Sequence, residues 1–438
     1  MPLRFPLLVV AAALTALAPS ISAAPLGASL DEKIILVAPT GHEKADRDIA
    51  LAQDRLRASP DLAHFERLGW TYIGKARRTL DAGYYKLAEK TADAMDARFG
   101  PTSNSLLLRG HVLDNLHHFK GAEAVARELV QKQPDAYAYA LLSDALMEQG
   151  KLPAAVSACQ EEMNRRPGLE SYARAAHLRW LTGDLKGATE MMEMAVHASS
   201  PVDPANCAWV VTRLSGYVLQ GGQAEQALKL AQSADRVAGD YPPALLAEGR
   251  ALLALGRTGE AASILSRAAE LNPLPEYEWW QADALRAAGQ PDAADKAEAA
   301  LVSTGPADDP RTFALFAATR VEERRGPAAW ARTALGCAQA ELQNRADPLT
   351  QDALAWAKFA SGDTPGAAAA MRAALADGTR DARLLLHAGL IAQADGDPAA
   401  ARADFTGAAP FAATLTPGES ALLHRQPSRS SLASADRR

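Results

Sequence analysis

The chain has 438 residues, 48% of them hydrophobic and 6% aromatic, and its 46 basic against 52 acidic side chains leave a formal charge of −6. That mildly acidic balance carries no basic footprint of the kind nucleic acid requires, so nucleic acid is not expected as a partner. Length alone suggests about three domains at roughly 150 residues each, but an internal period replaces that estimate with one quasi-linear array.

In chain order, the N-terminus reads as an export signal. Arg4 supplies positive charge, Phe5 to Ala18 an apolar stretch, and Ser20 to Ala24 small residues suited to cleavage. Residues 1–23 are therefore predicted to be a signal peptide cleaved after Ala23. The apolar stretch falls short of the roughly 20 residues a spanning helix needs, so the mature chain is expected to be exported, periplasmic or secreted, with no membrane span. Residues 24–60 form an N-terminal segment. Within it, Glu43 to Arg57 is predicted to be a helix that caps the array, with Ile49, Leu51 and Leu56 on one side.

From residue 61 the chain repeats. Alanines recur at Ala88, Ala122, Ala155, Ala188, Ala227, Ala261, Ala294, Ala331, Ala367 and Ala401, mostly 33 or 34 residues apart. Five residues before each lies a turn position: Gly83, His117, Gly150, Gly183, Gly222, Gly256, Gly289, Gly326, Gly362 and Gly396. Seven residues before each turn stands a small side chain: Ala76, Gly110, Ser143, Ala176, Ser215, Gly249, Ala282, Thr319, Ala355 and Gly389. Between these marks apolar residues fall at three- and four-residue spacing, which predicts two helices per repeat. Small side chains at one position on each helix let the backbones approach closely. Glycine at the turn admits positive φ without steric cost, and prolines such as Pro134, Pro167 and Pro273 stop the second helix. The expected fold class is all-α, an α-solenoid of about ten helical hairpins over residues 61–415. Extra length falls in a Pro-containing loop at Ser199 to Ala205, and the repeat around Gly326 is the least regular. Residues 416–438, rich in Ser and Arg, are predicted to be disordered because burial cannot offset their ordering entropy.

This layout resembles the tetratricopeptide repeat (TPR) family, and the first repeat looks like those of exported bacterial TPR proteins. Gly249, Ala261 and Pro273 match its loose signature, as do Gly110, Phe119, Ala122 and Pro134, and then Gly389, Ala401 and Phe405. The resemblance implies a non-catalytic scaffold or adaptor of the bacterial cell envelope that binds a peptide or protein on the concave wall formed by first helices. Residues flanking the small position are then the candidate partner-binding set: Arg174, His177, Arg213, Arg250, Trp280, Asp283, Arg320, Trp356 and His387. Arginine and tryptophan are enriched where interfaces gain most of their energy. The lysine and asparagine set with which one variant of the family grips a carboxylate is missing. Arg320, Arg324 and Arg325 beside Glu322 and Glu323 also fit a salt-bridged exposed helix face.

No phosphate loop, nucleophile elbow, His-Glu-x-x-His or Cys-x-x-Cys occurs, so no enzyme activity and no cofactor are expected. His111, His117 and His118 form the sole histidine cluster. The alternative function is a soluble binder of a non-protein ligand, either an anionic envelope glycan held by arginines or a metal held by those histidines. Cys159, Cys207 and Cys337 cannot all pair internally, and Cys159 sits where other repeats carry buried filler.

Overall fold

A computed structural model of the chain describes residues 25–79 and 81–426. The predicted signal peptide and residues 427–438 of the predicted tail lie outside the described residues. Every regular element among them is helical, and they fall into two compact units that divide after Leu108.

The first unit contains α1 (Leu30–Ile35), α2 (Lys44–Ala58), α3 (Leu62–Thr79) and α4 (Gly83–Phe99). Helix α2 starts on a reciprocal capping box between Glu43 and Asp46, which satisfies two backbone donors that the first turn leaves unpaired. It buries Ile49, Ala52, Gln53 and Leu56 against α3, but Leu51 is exposed. The expectation that Leu51 shares the buried side fails because two residues advance a helix by about 200°, onto the opposite face. Gln53 and Tyr72 both donate to the carbonyl of Ile35, and a buried Lys75–Asp46 ion pair joins α3 to the start of α2.

Paired helices follow: α5 (Ser103–Asn115) with α6 (Phe119–Lys132), α7 (Ala136–Glu148) with α8 (Leu152–Arg165), and α9 (Leu169–Leu181) with α10 (Leu185–His197). Next come α11 (Pro204–Gln220) with α12 (Ala224–Ala238), α13 (Pro242–Ala254) with α14 (Thr258–Leu271), and α15 (Pro275–Ala287) with α16 (Pro291–Asp308). The last are α17 (Pro310–Glu322) with α18 (Ala329–Leu342), α19 (Pro348–Ala360) with α20 (Thr364–Leu375), and α21 (Ala382–Ala394) with α22 (Pro398–Ala408). With α3 and α4 this makes the ten hairpins of an α-solenoid.

All ten periodic alanines are buried, and each sits on the second helix of its pair. Their partners on the first helix explain the small-residue rule in atomic terms. A Cβ on Gly249 would stand 2.3 Å from Leu265, and one on Gly389 would stand 2.4 Å from Phe405. Where the small residue is serine, its hydroxyl donates to the carbonyl of the packing alanine: Ser143 to Ala155 at 2.9 Å and Ser215 to Ala227 at 2.8 Å. Ala261→Leu should therefore cost about 1–3 kcal/mol by overpacking; an unchanged unfolding midpoint in urea would show that this alanine is not a packing contact.

Seven of the turn glycines take positive φ, and His117 adopts it at 59° in their place. Gly83 and Gly326 do not. Gly83 opens α4, and in the irregular repeat Arg324 takes the left-handed conformation at 61° instead, at a cost of roughly 1–2 kcal/mol. All three cysteines are free thiols, and burial pushes Cys159 up to about 12, which makes it an inert filler.

The second unit closes on itself. The amide of Ala346 donates to the Glu148 carbonyl at 2.9 Å while Arg345 pairs with Glu148 at 2.6 Å. The Thr379 hydroxyl donates to Leu181, and the Gln220 amide to the carbonyl of Arg380 at 2.7 Å. Two turn glycines permit this approach. A Cβ on Gly150 would lie 2.5 Å from the Ala346 oxygen, and one on Gly183 2.3 Å from the Gly378 oxygen. The turns between α7 and α12 thus meet the loops that precede α19 and α21.

The predicted disordered tail is ordered at its start. A 3-10 turn (Ala409–Thr414) and α23 (Pro417–His424) pack on α11, α13, α15 and α21. Thr416 and Glu419 form a capping box, and the fully buried Glu419 carboxylate pairs with Arg383. Composition misjudged the start of this stretch because Leu422, almost alone there in being large and apolar, lands on an apolar patch with Leu415 just before the tail and with Ala382 and Leu386.

Candidate functional site: an internal cavity of the second unit

Closure turns the wall of first helices into the lining of a cavity of about 430 Å3, within the size range of pockets that hold small ligands. α9 contributes His177 and Trp180, α11 Arg213, Tyr217 and Gln220, and α13 Leu246 and Arg250. Asp309, Arg311, Asp352, Asp381, Arg383 and Thr414 come from the later repeats and the C-terminal segment. A recess of about 60 Å3 adjoins it, walled by Arg250, Glu276, Trp280, Asp381, Arg383 and Thr414.

Of the nine sequence-predicted residues, His177, Arg213 and Arg250 line the cavity and Trp280 the recess. The other five stand elsewhere. Arg174 is gripped by Asp144 at 2.7 and 2.8 Å and by Glu162. Burial opposes its charge, but the two carboxylates outweigh burial and hold its pKa above the ordinary arginine value. Arg320 has no exposed surface; it sits among Asp283, Glu298 and Glu323, the last two at 2.8 and 3.0 Å. Asp283 is therefore engaged too. The exposed helix face expected of Arg320 is instead a buried cluster, with Arg325 bonded at its edge to Glu298 and Glu323. Trp356 donates to Thr319 at 3.0 Å and stacks on His387 at 4.0 Å, and His387 in turn meets Asp352 at 2.8 Å. These five positions hold hairpin to hairpin, because charges and rings one repeat apart on adjacent first helices fall side by side.

The cavity's own charges divide into satisfied and unsatisfied. Arg383 is neutralised by Glu419 and lies 4.8 Å from the Trp279 ring. Arg311 reaches Asp347 at 3.4 Å. Asp309 and Asp381 cap α17 and α21 with their carboxylates. Arg213 is exposed to solvent and meets the His177 ring nitrogen at 3.1 Å and the Tyr217 ring at 6.0 Å. Arg250 lies 4.9 Å from the Trp280 ring, and its Nε is buried with no hydrogen-bond partner among the described residues. Burial lowers its pKa, and the charges of Glu276 and Asp381 in the same recess offset that effect only in part.

His177 carries a pH signature. Burial first, then the charges of Arg213 and Arg311, push its pKa down to about 3. The unfolded ring takes a proton near 6.5 while the folded ring resists until about 3. Stability from this residue is therefore complete above about 6.5 and is lost as pH falls through that window. His177→Gln should flatten the fall in unfolding midpoint between pH 6.5 and 4; an unaltered slope would show that the ring titrates normally.

The predicted histidine cluster offers no metal chemistry on this geometry. Among the described residues no group of three His, Cys, Asp or Glu side chains is placed to hold an ion. His117 stacks on Phe119 at 5.5 Å, and burial lowers its pKa to about 4.

Tyr217, Gln220, Arg311, Asp352 and Arg383 were not foreseen as lining residues. Asp309 and Asp381 had a usable signal, since aspartate just before a helix start reads as a cap, but nothing local marks a cap as facing a cavity.

Comparison with known proteins places these features in context. The tetratricopeptide repeat family matches residues 107–170, 246–309 and 353–417. Among solved structures, a monomeric mutant of IFIT1 with Gppp-AAAA is 13% identical, covers 83% of this chain and 85% of its own, and superposes with a TM-score of 0.49. A human IFIT1 dimer with PPP-AAAA is 13% identical over 88% of this chain and 96% of its own, at 0.47. MamA is 15% identical over 37% of this chain and 94% of its own, at 0.31. No curated protein matches in sequence.

Proposed function

The chain belongs to the tetratricopeptide repeat family, whose members serve as non-catalytic scaffolds for protein partners, and we propose that this one is an exported envelope scaffold gripping a peptide or protein segment in the cavity of its second unit. The observation that carries this reading is the placement of His177, Arg213 and Arg250, from three successive first helices, on one wall beside Trp180, Tyr217 and Leu246. Such a wall offers charge-assisted hydrogen bonds and aromatic area together, the combination from which peptide recognition draws specificity and energy. Export is supported by the charged, apolar and small-residue pattern of residues 1–23.

The test places a photoreactive phenylalanine analogue at Tyr217, inside the cavity, and at Leu271, exposed on α14. Irradiation in cells should yield a discrete peptide or protein adduct from position 217 and none from 271. Equal adducts at both positions, or none at 217, would contradict the reading. A second reading, a non-protein anionic ligand, draws on Arg250, whose buried Nε has no hydrogen-bond partner among the described residues; binding that collapses with rising salt and does not depend on Trp280 would favour it.

A further inference from the structure

We infer that the recess beside the cavity is a specificity pocket for a primary amide, the side-chain head group of an asparagine or glutamine in the bound segment. The inference rests on the cavity holding a peptide or protein segment, and it adds which side chain that segment must offer.

Every wall residue of the recess except Trp280 also lines the cavity, so the recess opens from it. Glu276 and Trp280 stand one turn apart on α15 and share a face, and Arg250 reaches in from α13. Two of the charges are already engaged. Arg383 is paired with Glu419, and the Asp381 carboxylate accepts from the backbone amides of Arg383 and Leu384 at 3.0 and 3.2 Å. Arg250 forms no ion pair among the described residues, although Glu276 and Asp381 share the recess with it. The space between them therefore has N–H donors on one side and carboxylate acceptors on the other. Thr414 adds a further acceptor, since its own hydroxyl proton goes to the carbonyl of Phe411 at 2.8 Å.

A carboxylate placed here would meet two carboxylates, and an ammonium group would meet two guanidiniums, in a space largely withdrawn from water. A neutral group that both donates and accepts escapes both penalties. A primary amide is such a group: its carbonyl accepts from Arg250, and its two N–H bonds serve a wall carboxylate and Thr414. An aliphatic side chain would leave the same polar walls unpaired. The recess of about 60 Å3 has room for it, against the roughly 10–15 Å3 that a single water needs. The buried Trp280 ring supplies a flat wall for the amide plane.

The experiment follows the fluorine NMR signal of Trp280 in the full chain labelled with 5-fluorotryptophan, assigned by its loss in Trp280→Phe. The probes are capped tripeptides, acetyl-Ala-Xaa-Ala-amide, with Gln, Asn, Glu, Lys or Leu at the centre. Capping removes the terminal charges, so the central side chain alone is compared. The Gln or the Asn peptide should shift the signal saturably and bind about tenfold more tightly than the Glu, Lys and Leu peptides, the effect of one hydrogen bond to a charged group. Glu276→Gln changes the exposed member of the wall and should move the preference: with one carboxylate gone, the Glu peptide should gain about tenfold on the amide peptides. A merely structural role for Glu276 would weaken all the peptides alike and leave that ratio unmoved. Binding of the Glu, Lys or Leu peptide equal to the better amide, an unmoved ratio in Glu276→Gln, or no shift with either amide peptide up to tens of millimolar would each overturn the inference. If the amide preference fails but position 217 still cross-links to a protein segment, the scaffold reading stands and the assignment of the recess falls; if the amide peptide binds and nothing cross-links, the recess keeps its assignment and the protein-partner reading falls.

Discussion

Arg320→Ala should destabilise the second unit by about 3–5 kcal/mol, the usual cost of removing one member of a buried ionic cluster. Asp283, Glu298 and Glu323 would then face one another around a vacated site, with Asp283 and Glu323 almost without solvent. Burial is the largest influence on the Arg320 guanidinium and acts to lower its pKa, but the three carboxylates reverse the sign and hold it above the ordinary value. The loss is therefore mostly the penalty of stranded negative charge. Arg320→Met combined with Asp283→Asn and Glu323→Gln should recover most of it, since hydrophobic and neutral replacements of a buried cluster are often tolerated. Urea unfolding monitored through Trp279, which packs on Phe316 beside Arg320, reads the effect locally. A change below about 1 kcal/mol for the single variant would mean that water reaches the cluster.

Ending the chain after Ala408 should have an effect of comparable size. It removes the 3-10 turn and α23, uncovers Ala382 and Leu386, and deletes Leu415 and Leu422 from their apolar patch. Each buried leucine contributes about 1.5–3 kcal/mol. It also strands Arg383, whose Glu419 partner has no exposed surface. Stability in stacked repeats is close to a sum of neighbour terms, so the damage should concentrate in α13, α15 and α21 and leave the hairpins from α5 to α10 folded. Amide hydrogen exchange measures this distribution, and uniform loss of protection across the second unit would contradict it. Glu419→Gln, which keeps the packing but weakens the ion pair, should reproduce only a part of the effect.

What the sequence reveals and what it hides follow from one distinction. The packing alanines and the small partners at Ser143 or Gly249 are local requirements repeated ten times, and positive φ recurs at eight of the ten turn positions, so periodicity alone exposes them. Ion pairs such as Arg174 with Asp144 and Glu162 join neighbouring repeats, and the composition of one helix does not state which charge on the next it will meet. Closure is less legible again. The bonds from Thr379 to Leu181 and from Gln220 to Arg380 span 198 and 160 residues, and they arise from curvature accumulated over several hairpins rather than from any motif. That curvature decides the fate of the predicted groove, because it leaves His177, Arg213 and Arg250 around a cavity while Arg320 and His387 are absorbed between helices. Leu51 and the ordered start of the tail show the same limit at smaller scale, where one helical face or two leucines settle the outcome.

The closed second unit is the premise on which the cavity and its chemistry stand, and a single distance tests it. Lys151, just after the α7–α8 turn, and Asn344, just before α19, are both exposed and flank the Ala346 to Glu148 bond. Cysteines placed at these two positions, with Cys159, Cys207 and Cys337 changed to serine, carry spin labels for electron double-resonance spectroscopy. The account predicts one narrow distribution at the short end of the measurable range. A long or broad distribution would show an open array, and the inner wall would then be a groove rather than a cavity.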